Sequence, residues 1–374
     1  MIKVFQVSSD TNIGGAGKCI LTFLENYNRS SFDMAVVLPY HSLLKEKVKA
    51  LGVRTIEVEG INEKSLGRKG VSALRRVFKQ ERPDIVHTHA SMSARIAARL
   101  CHIPGIVYTR HSVFEPSPTI SKGAGKKING LVNNCTADRI IAVAEAAKQN
   151  LVDCGVDESK IDVVLNGINP LEPMDSQQKE AVRRRYGIQP GQKVISILAR
   201  LEEVKGHAYL IEAAKLVLDA GYDVVFLIAG TGSQEELLKQ KVRQMNLEKN
   251  ILFTGFVEDV REIVNITDIS ANASYGTEAT SIALLEGMCL GKPAVVSEFG
   301  GNPGVIIPEE NGLLFPIKNS QRMAEAFLSI LKDDNLYQTL SEGAVRIFQE
   351  RFTAKRYTQQ IETIYKELMQ KGTR

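Results

Sequence analysis

Cysteine is scarce and poorly placed for either of its structural uses. Cys19, Cys101, Cys135, Cys154 and Cys289 lie far apart, and none forms a C-x-x-C pair. An odd, scattered set supplies neither a disulfide frame nor a zinc site, so reduced thiols in a cytoplasmic protein are the expectation. Long apolar runs are missing as well: none approaches the roughly 18 residues a membrane-crossing helix needs. The opening stretch Met1–Val7 reads as a strand, without the apolar core and cleavage site of a leader. Low-complexity tracts and internal repeats are also lacking.

What is present is ordinary globular material: 44% hydrophobic and 24% charged residues over 374 positions. That length exceeds one compact core, so two domains are expected. The net charge of +4 hides an asymmetry. Residues 1–165 hold 23 Lys and Arg against 16 Asp and Glu, whereas the remainder holds 24 against 27. The two parts therefore face different surroundings.

Short β-rich runs alternate with helical segments through the first part. The strands are expected at Val4–Val7, Ala35–Leu38, Thr55–Val58, Ile85–His87, Ile106–Thr109, Ile140–Val143 and Val163–Leu165. Helices are expected at Ala16–Tyr27, Lys45–Leu51, Ser91–Leu100 and Glu145–Asp153, among others. Asn166–Pro173, with one Gly and two Pro, interrupts the rhythm and reads as a linker. Alternation resumes at Lys193–Leu198 and continues through Val224–Ala229, Ile251–Phe253, Ile269–Ala271 and Ala294–Val296. The pattern predicts a first domain over 1–165, a linker over 166–178 and a second domain over 179–352. A helix over 353–374 is expected to cross back towards the first domain, with Tyr357, Ile361, Ile364, Tyr365 and Leu368 along one face. Both domains should be doubly wound parallel sheets, α/β in class, with ligands beyond the carboxyl ends of the strands and a cleft between the domains.

Three clusters carry chemistry. The first βα turn, Asn12-Ile13-Gly14-Gly15-Ala16-Gly17-Lys18, has the small residues that let helix-start amides approach a phosphate. The match to a nucleotide-hydrolase P-loop fails at both ends, with Asn12 in its first Gly position and Cys19 where Ser or Thr should hold Mg²⁺. Arg200 and Lys205 follow the first strand of the second domain, where two cations in a solvent-facing loop can hold a diphosphate. Glu278 and Glu286 are separated by seven residues across a loop, containing Thr280, Ser281 and Ile282, that opens a helix. Glu286 falls in the apolar run Leu284-Leu285-Glu286-Gly287-Met288, so it needs hydrogen-bonding partners that sugar or ribose hydroxyls can supply.

These segments, in order, resemble the family-4 retaining glycosyltransferases of the GT-B fold. The likeness also takes in Pro83–His89, Tyr108-Thr109-Arg110-His111, Val164–Ile168, Ile228–Gly232, Phe253–Val257, Gly291-Lys292-Pro293, Gly300–Pro303 and Asn311–Leu314. It implies two Rossmann-like domains facing across a cleft, and a hexosyl- or N-acetylhexosaminyl-transferase. The donor would be a UDP- or GDP-linked sugar, and the acceptor a glycan, glycolipid or small molecule in cell-surface polysaccharide or glycolipid biosynthesis. By resemblance Arg200 and Lys205 bind the diphosphate, Glu286 the ribose, and Glu278 faces the transferred sugar. His111 lies beside the reacting sugar, Gly14 and Gly15 approach phosphate and sugar, and Gly230, Phe256 and Val257 line the base pocket. Thr280, Ser281 and Ile282 complete the donor site. Neither a cofactor nor a metal is expected: no D-x-D occurs, and the His87/His89 pair has the family's spacing without metal. Gly304 and Ala144 stand where the family often has Glu and Ser. A nucleotide-sugar epimerase of the same fold is the rival reading.

Nucleic acid is not an expected partner. A peripheral contact with an anionic membrane, at the inner face, is suggested by a helix over Arg68–Gln80 with Val71, Leu74 and Phe78 on one side. Arg68, Arg75, Arg76 and Lys79 lie towards the other side, and Lys122–Lys127 forms a second basic stretch.

Overall fold

The computed structural model describes residues 1–62, 66–113 and 115–371. It divides into two compact units, Met1–Asn169 with Thr353–Arg374, and Pro170–Phe352.

The first unit holds seven strands: β1 (Ile2–Ser8), β2 (Phe32–Pro39), β3 (Arg54–Val58), β4 (Ile85–His89), β5 (Gly105–Arg110), β6 (Arg139–Ala142) and β7 (Ile161–Val163). All pair in parallel in the order β3-β2-β1-β4-β5-β6-β7. The central strands are buried on both faces, which is why β2 reads as a nearly continuous apolar run and why Gln6 of β1 is itself buried. One core beneath this sheet packs Phe5, Val37, Val86 and Ile106 against Leu74 and Phe78.

That core uses the apolar side of the helix Arg68–Glu81. The apolar side of this helix is covered by the protein's own sheet, with Val71 and Val77 packed at its edge, so only its basic side is left for a membrane surface. A second difference lies at 122–127: the basic stretch leads into a 14-residue helix, Gly123–Thr136. The last strand also begins earlier than expected, at Ile161. Its register against β6 pairs Ile141 with Asp162, and Arg139 closes an ion pair on Asp162.

The C-terminal helix Ala354–Lys371 belongs to this unit. Tyr357, Ile361, Ile364, Tyr365 and Leu368 are buried, and Tyr365 meets Phe23 and Phe32 edge-on at 5.9 and 5.8 Å. Where the chain leaves and re-enters, Ile168 bridges Thr353 and accepts the Ala354 amide at 2.9 Å. Residues 166–169, read as linker from the sequence, are thus part of the first unit.

The second unit holds β8 (Lys193–Leu198), β9 (Val224–Ala229), β10 (Ile251–Gly255), β11 (Ile269–Asn272), β12 (Ala294–Ser297) and β13 (Gly312–Phe315), parallel in the order β10-β9-β8-β11-β12-β13. The edge strand β13 is not among those expected, being only four residues set between Asn311 and Pro316. Its core joins Ile195, Ile197, Phe226 and Ile228 to the helices His207–Asp219 and Ser320–Lys332, with Phe226 edge-on to Phe327 at 6.1 Å. In each sheet the strand order reverses once, between β1 and β4 and between β8 and β11, and loops diverge at those points.

Candidate active site

The three clusters singled out for chemistry follow β1, β8 and β11, strands at these two reversals. In the first unit the chain leaves β1 through a loop braced by Asp10, which accepts from the Asn12 amide at 2.9 Å. Gly14 then caps the 12-residue helix Gly15–Asn26 without any side-chain cap. A Cβ added at Gly15 would meet nothing within 4 Å, and one at Gly14 only the Asp10 carboxylate at 3.8 Å. Packing does not demand glycine at either position; what their absence of side chain preserves is open approach to the helix-start amides.

β4 ends in His87-Thr88-His89, all buried in the middle of a parallel sheet, where unpaired imidazoles are costly. They are paired through a continuous network. His87 Nε2 lies 2.6 Å from Thr109 Oγ1, and its Nδ1 lies 2.6 Å from Tyr365 Oη. The Gln6 amide nitrogen donates to Tyr365 Oη at 3.4 Å, and Gln6 Oε1 lies 2.6 Å from His89 Nε2. His89 Nδ1 lies 2.7 Å from His111 Nε2, with the two rings stacked. Burial pushes the His87 imidazole down to about 3, holds His89 well below the usual histidine range and brings His111 down to about 4. All three rings are neutral near pH 7. The network occupies the four ring nitrogens of His87 and His89, which accounts for these two residues without a metal ion.

In the second unit Leu201 anchors the loop after β8: it is fully buried, and its amide donates to Thr231 O at 2.9 Å. Arg200, one residue earlier, is exposed. Lys205 ends a short turn, and Gly206 then adopts φ +73°. A Cβ on Gly206 would lie 2.1 Å from Ala273 O, so only glycine lets this loop close against the end of β11. The result is a part-buried ion pair: Lys205 Nζ donates to Glu278 Oε2 at 2.9 Å and to Thr277 O at 3.0 Å. The same Oε2 accepts from Asn272 Nδ2 at 3.2 Å and Ser274 Oγ at 3.0 Å. Gly300, at φ +57°, lies so close to the Glu278 carbonyl that a Cβ would come within 2.2 Å. Lys205 therefore differs from the solvated cation expected of it, because its side chain is only 14% exposed.

Asn272, Ser274 and Asn302 escaped the sequence reading. Asn302 Nδ2 donates to Asn272 Oδ1 at 3.4 Å and to Ser297 O at 3.1 Å, holding Asn272 towards Glu278. The available signal was Asn272, a buried amide closing the short strand Ile269–Asn272. Ser281 caps the helix Ile282–Cys289, Thr280 is buried beside it, and Glu286 is buried within that helix. Gly230 follows β9 and donates its amide to Gly255 O at 2.8 Å. Phe256 stands 77% exposed after β10, whereas Val257 packs at the edge of a core cluster. Gly304 has open space around a would-be Cβ, so a larger residue fits there.

Two family models together span most of the chain: Glycosyltransferase Family 4 over residues 13–171 and Glycosyl transferases group 1 over residues 178–346. An Escherichia coli UDP-Gal:alpha-D-GlcNAc-diphosphoundecaprenol alpha-1,3-galactosyltransferase is 26% identical, across 98% of this chain and 97% of its own. The N-acetyl-alpha-D-glucosaminyl L-malate synthase of Bacillus anthracis is 25% identical, across 80% and 78%. Among solved structures, the Anabaena protein HepE in complex with UDP superimposes with a TM-score of 0.85 at 21% identity, across 98% of this chain and 100% of that one.

Proposed function

The chain belongs to the family-4 glycosyltransferases of GT-B fold, and from that premise we propose that it moves a hexosyl or N-acetylhexosaminyl group from a UDP-linked sugar to an acceptor hydroxyl, with retention and without a metal. The observation that carries this reading is the convergence of Lys205, Asn272 and Ser274 on one carboxylate oxygen of Glu278 at the β8/β11 reversal. A UDP donor is favoured over a GDP one by the UDP-Gal in the name of the E. coli relative and the UDP bound to HepE.

In this reading Arg200 and Lys205 bind the donor diphosphate. The bond from the anomeric carbon to the β-phosphate oxygen breaks with its electron pair leaving on the phosphate, where the two cations offset the charge. The acceptor hydroxyl bonds to the same face of the sugar, and its proton passes to the departing phosphate. Glu278 Oε1, to which no hydrogen bond is made among the described residues, accepts from a sugar hydroxyl, and His111 lies beside the reacting centre. Glu286 takes the ribose, Gly230, Phe256 and Val257 the base, and Thr280, Ser281 and Ile282 the remaining donor contacts. Asp10 beside Gly14 suits sugar hydroxyls at that opening better than a second phosphate. Incubation of labelled UDP-sugars with excess EDTA tests this directly. Sugar transfer undiminished by the chelator is expected; an epimerised donor, or activity lost and restored only by Mn²⁺ or Mg²⁺, contradicts it.

A lipid-linked acceptor, as in the name of the E. coli relative, lies at a membrane surface. The element we assign to that surface, at the cytoplasmic face, is the helix Gly123–Thr136. Its exposed stripe Ala124, Lys127, Ile128, Leu131, Val132 and Cys135 follows helical spacing, with Ile128 and Leu131 62% and 64% exposed. Lys122 and Lys127 at its N-terminal end match anionic headgroups, each contributing about 1 kcal/mol.

A further inference from the structure

Gln6 reaches His111 only through His89, yet it decides which ring nitrogen of His111 carries the proton. Its amide nitrogen donates to Tyr365 Oη, which turns Oε1 towards His89 Nε2. A carbonyl oxygen only accepts, so His89 Nε2 must carry the hydrogen. Burial keeps His89 neutral, which leaves its Nδ1 as an acceptor. The 2.7 Å contact with His111 is then a bond donated by His111 Nε2–H. In a neutral ring that leaves the Nδ1 lone pair of His111 as its basic nitrogen.

We propose that Gln6 is a positioning residue, which through His89 fixes His111 as the Nε2–H tautomer and reserves its Nδ1 as a hydrogen-bond acceptor for a hydroxyl of donor or acceptor. Tyr365, from the C-terminal helix, is the anchor of this relay. Its Oη accepts from Gln6 and remains free to donate to His87 Nδ1 at 2.6 Å, so His87 Nε2–H donates in turn to Thr109. The chain's last helix thus sets a proton position on a loop after β5. The alternative, with every bond reversed, needs the Gln6 amide turned over and leaves His111 with a hydrogen on Nδ1. The inference rests on the reading of His111 as adjacent to the reacting sugar, but the relay itself does not.

The test is long-range ¹H–¹⁵N correlation on histidine-labelled protein at pH 7.5, which separates protonated from lone-pair ring nitrogens without any substitution. The wild type is expected to show His111 protonated on Nε2; protonation on Nδ1 overturns the proposal. In Gln6→Leu the His111 signals should move to a mixture of tautomers. Turnover should then fall about tenfold with KM for the donor within twofold, since one orienting hydrogen bond at the reacting centre is lost while the diphosphate clamp is untouched. Unchanged tautomer and turnover in a folded Gln6→Leu also overturn it. Should that variant not fold, Tyr365→Phe keeps the ring packing, releases the Gln6 amide and is expected to show the same mixture; an unmixed spectrum counts against the relay. If the tautomers are as stated but His111→Ala retains full turnover, the catalytic reading of His111 fails while the relay stands.

Discussion

Lys205 and Arg200 sit five residues apart and have quite different surroundings, so their removal should separate binding from stability. Arg200 is exposed and makes no side-chain hydrogen bond among the described residues. Lys205 is held by Glu278 and Thr277 in a pair that is 14% and 11% exposed. Removing one partner of such a pair strands the other charge, at a cost of about 3 kcal/mol. Lys205→Ala is therefore expected to lower Tm by roughly 5–10 °C, and Arg200→Ala to change stability by less than about 0.5 kcal/mol. Both should reduce kcat by about 10²-fold or more, because in the proposed mechanism each meets charge that develops on the leaving diphosphate. Calorimetry with steady-state kinetics checks both halves, and near-normal turnover in either variant removes that residue from the diphosphate clamp.

At the scale of single elements, the helix Glu145–Asp153 begins at Ala144 without a side-chain cap. Ala144→Ser supplies an oxygen to the first-turn amides and should stabilise the protein by about 1 kcal/mol, measured as an upward shift in the denaturant midpoint. The helix Gly123–Thr136 carries a second expectation. Vesicles with anionic lipid should sediment the protein at low salt, and Ile128→Ser with Leu131→Ser should abolish this. Equal recovery in the supernatant with neutral and anionic vesicles would sink the membrane assignment. The elements also show where sequence reading succeeds. Parallel strands buried on both faces announce themselves as apolar runs, so β2, β8 and β9 were legible, and Arg200, Lys205 and Glu278 could be placed at strand ends. Asn272 and Ser274 were not, because their importance arises only when Gly206 lets the β8 loop close on β11. Nor could the amphipathic pattern of Arg68–Glu81 say whether sheet or membrane covers it; the core containing Leu74 and Phe78 decides.

On the scale of the whole molecule, buried histidines tie stability to pH. His87 is pushed down to about 3, His207 to about 4 and His89 well below the usual value, each chiefly by burial. Their folded pKa values lie beneath the unfolded value near 6.5, so between those limits the unfolded chain binds more protons and stability falls as pH falls. The loss begins near pH 7 and continues towards pH 4. At pH 5.5 it amounts to about 1.4 kcal/mol for each ring, roughly 4 kcal/mol in all. Thermal unfolding followed from pH 7.5 to 5.5 should show a steady fall in Tm, and a flat profile would mean that these rings are solvated. In the proposed mechanism, charge on the leaving nucleotide is met by Arg200 and Lys205 while the sugar keeps its anomeric configuration. ¹H NMR of the first transferred product, formed from an α-linked UDP-sugar in the presence of EDTA, tests both parts at once. An α-linked product at full rate, formed about 10²-fold more slowly by Arg200→Ala, is predicted; a β-linked product, or no transfer until a divalent metal is added, would contradict this mechanism.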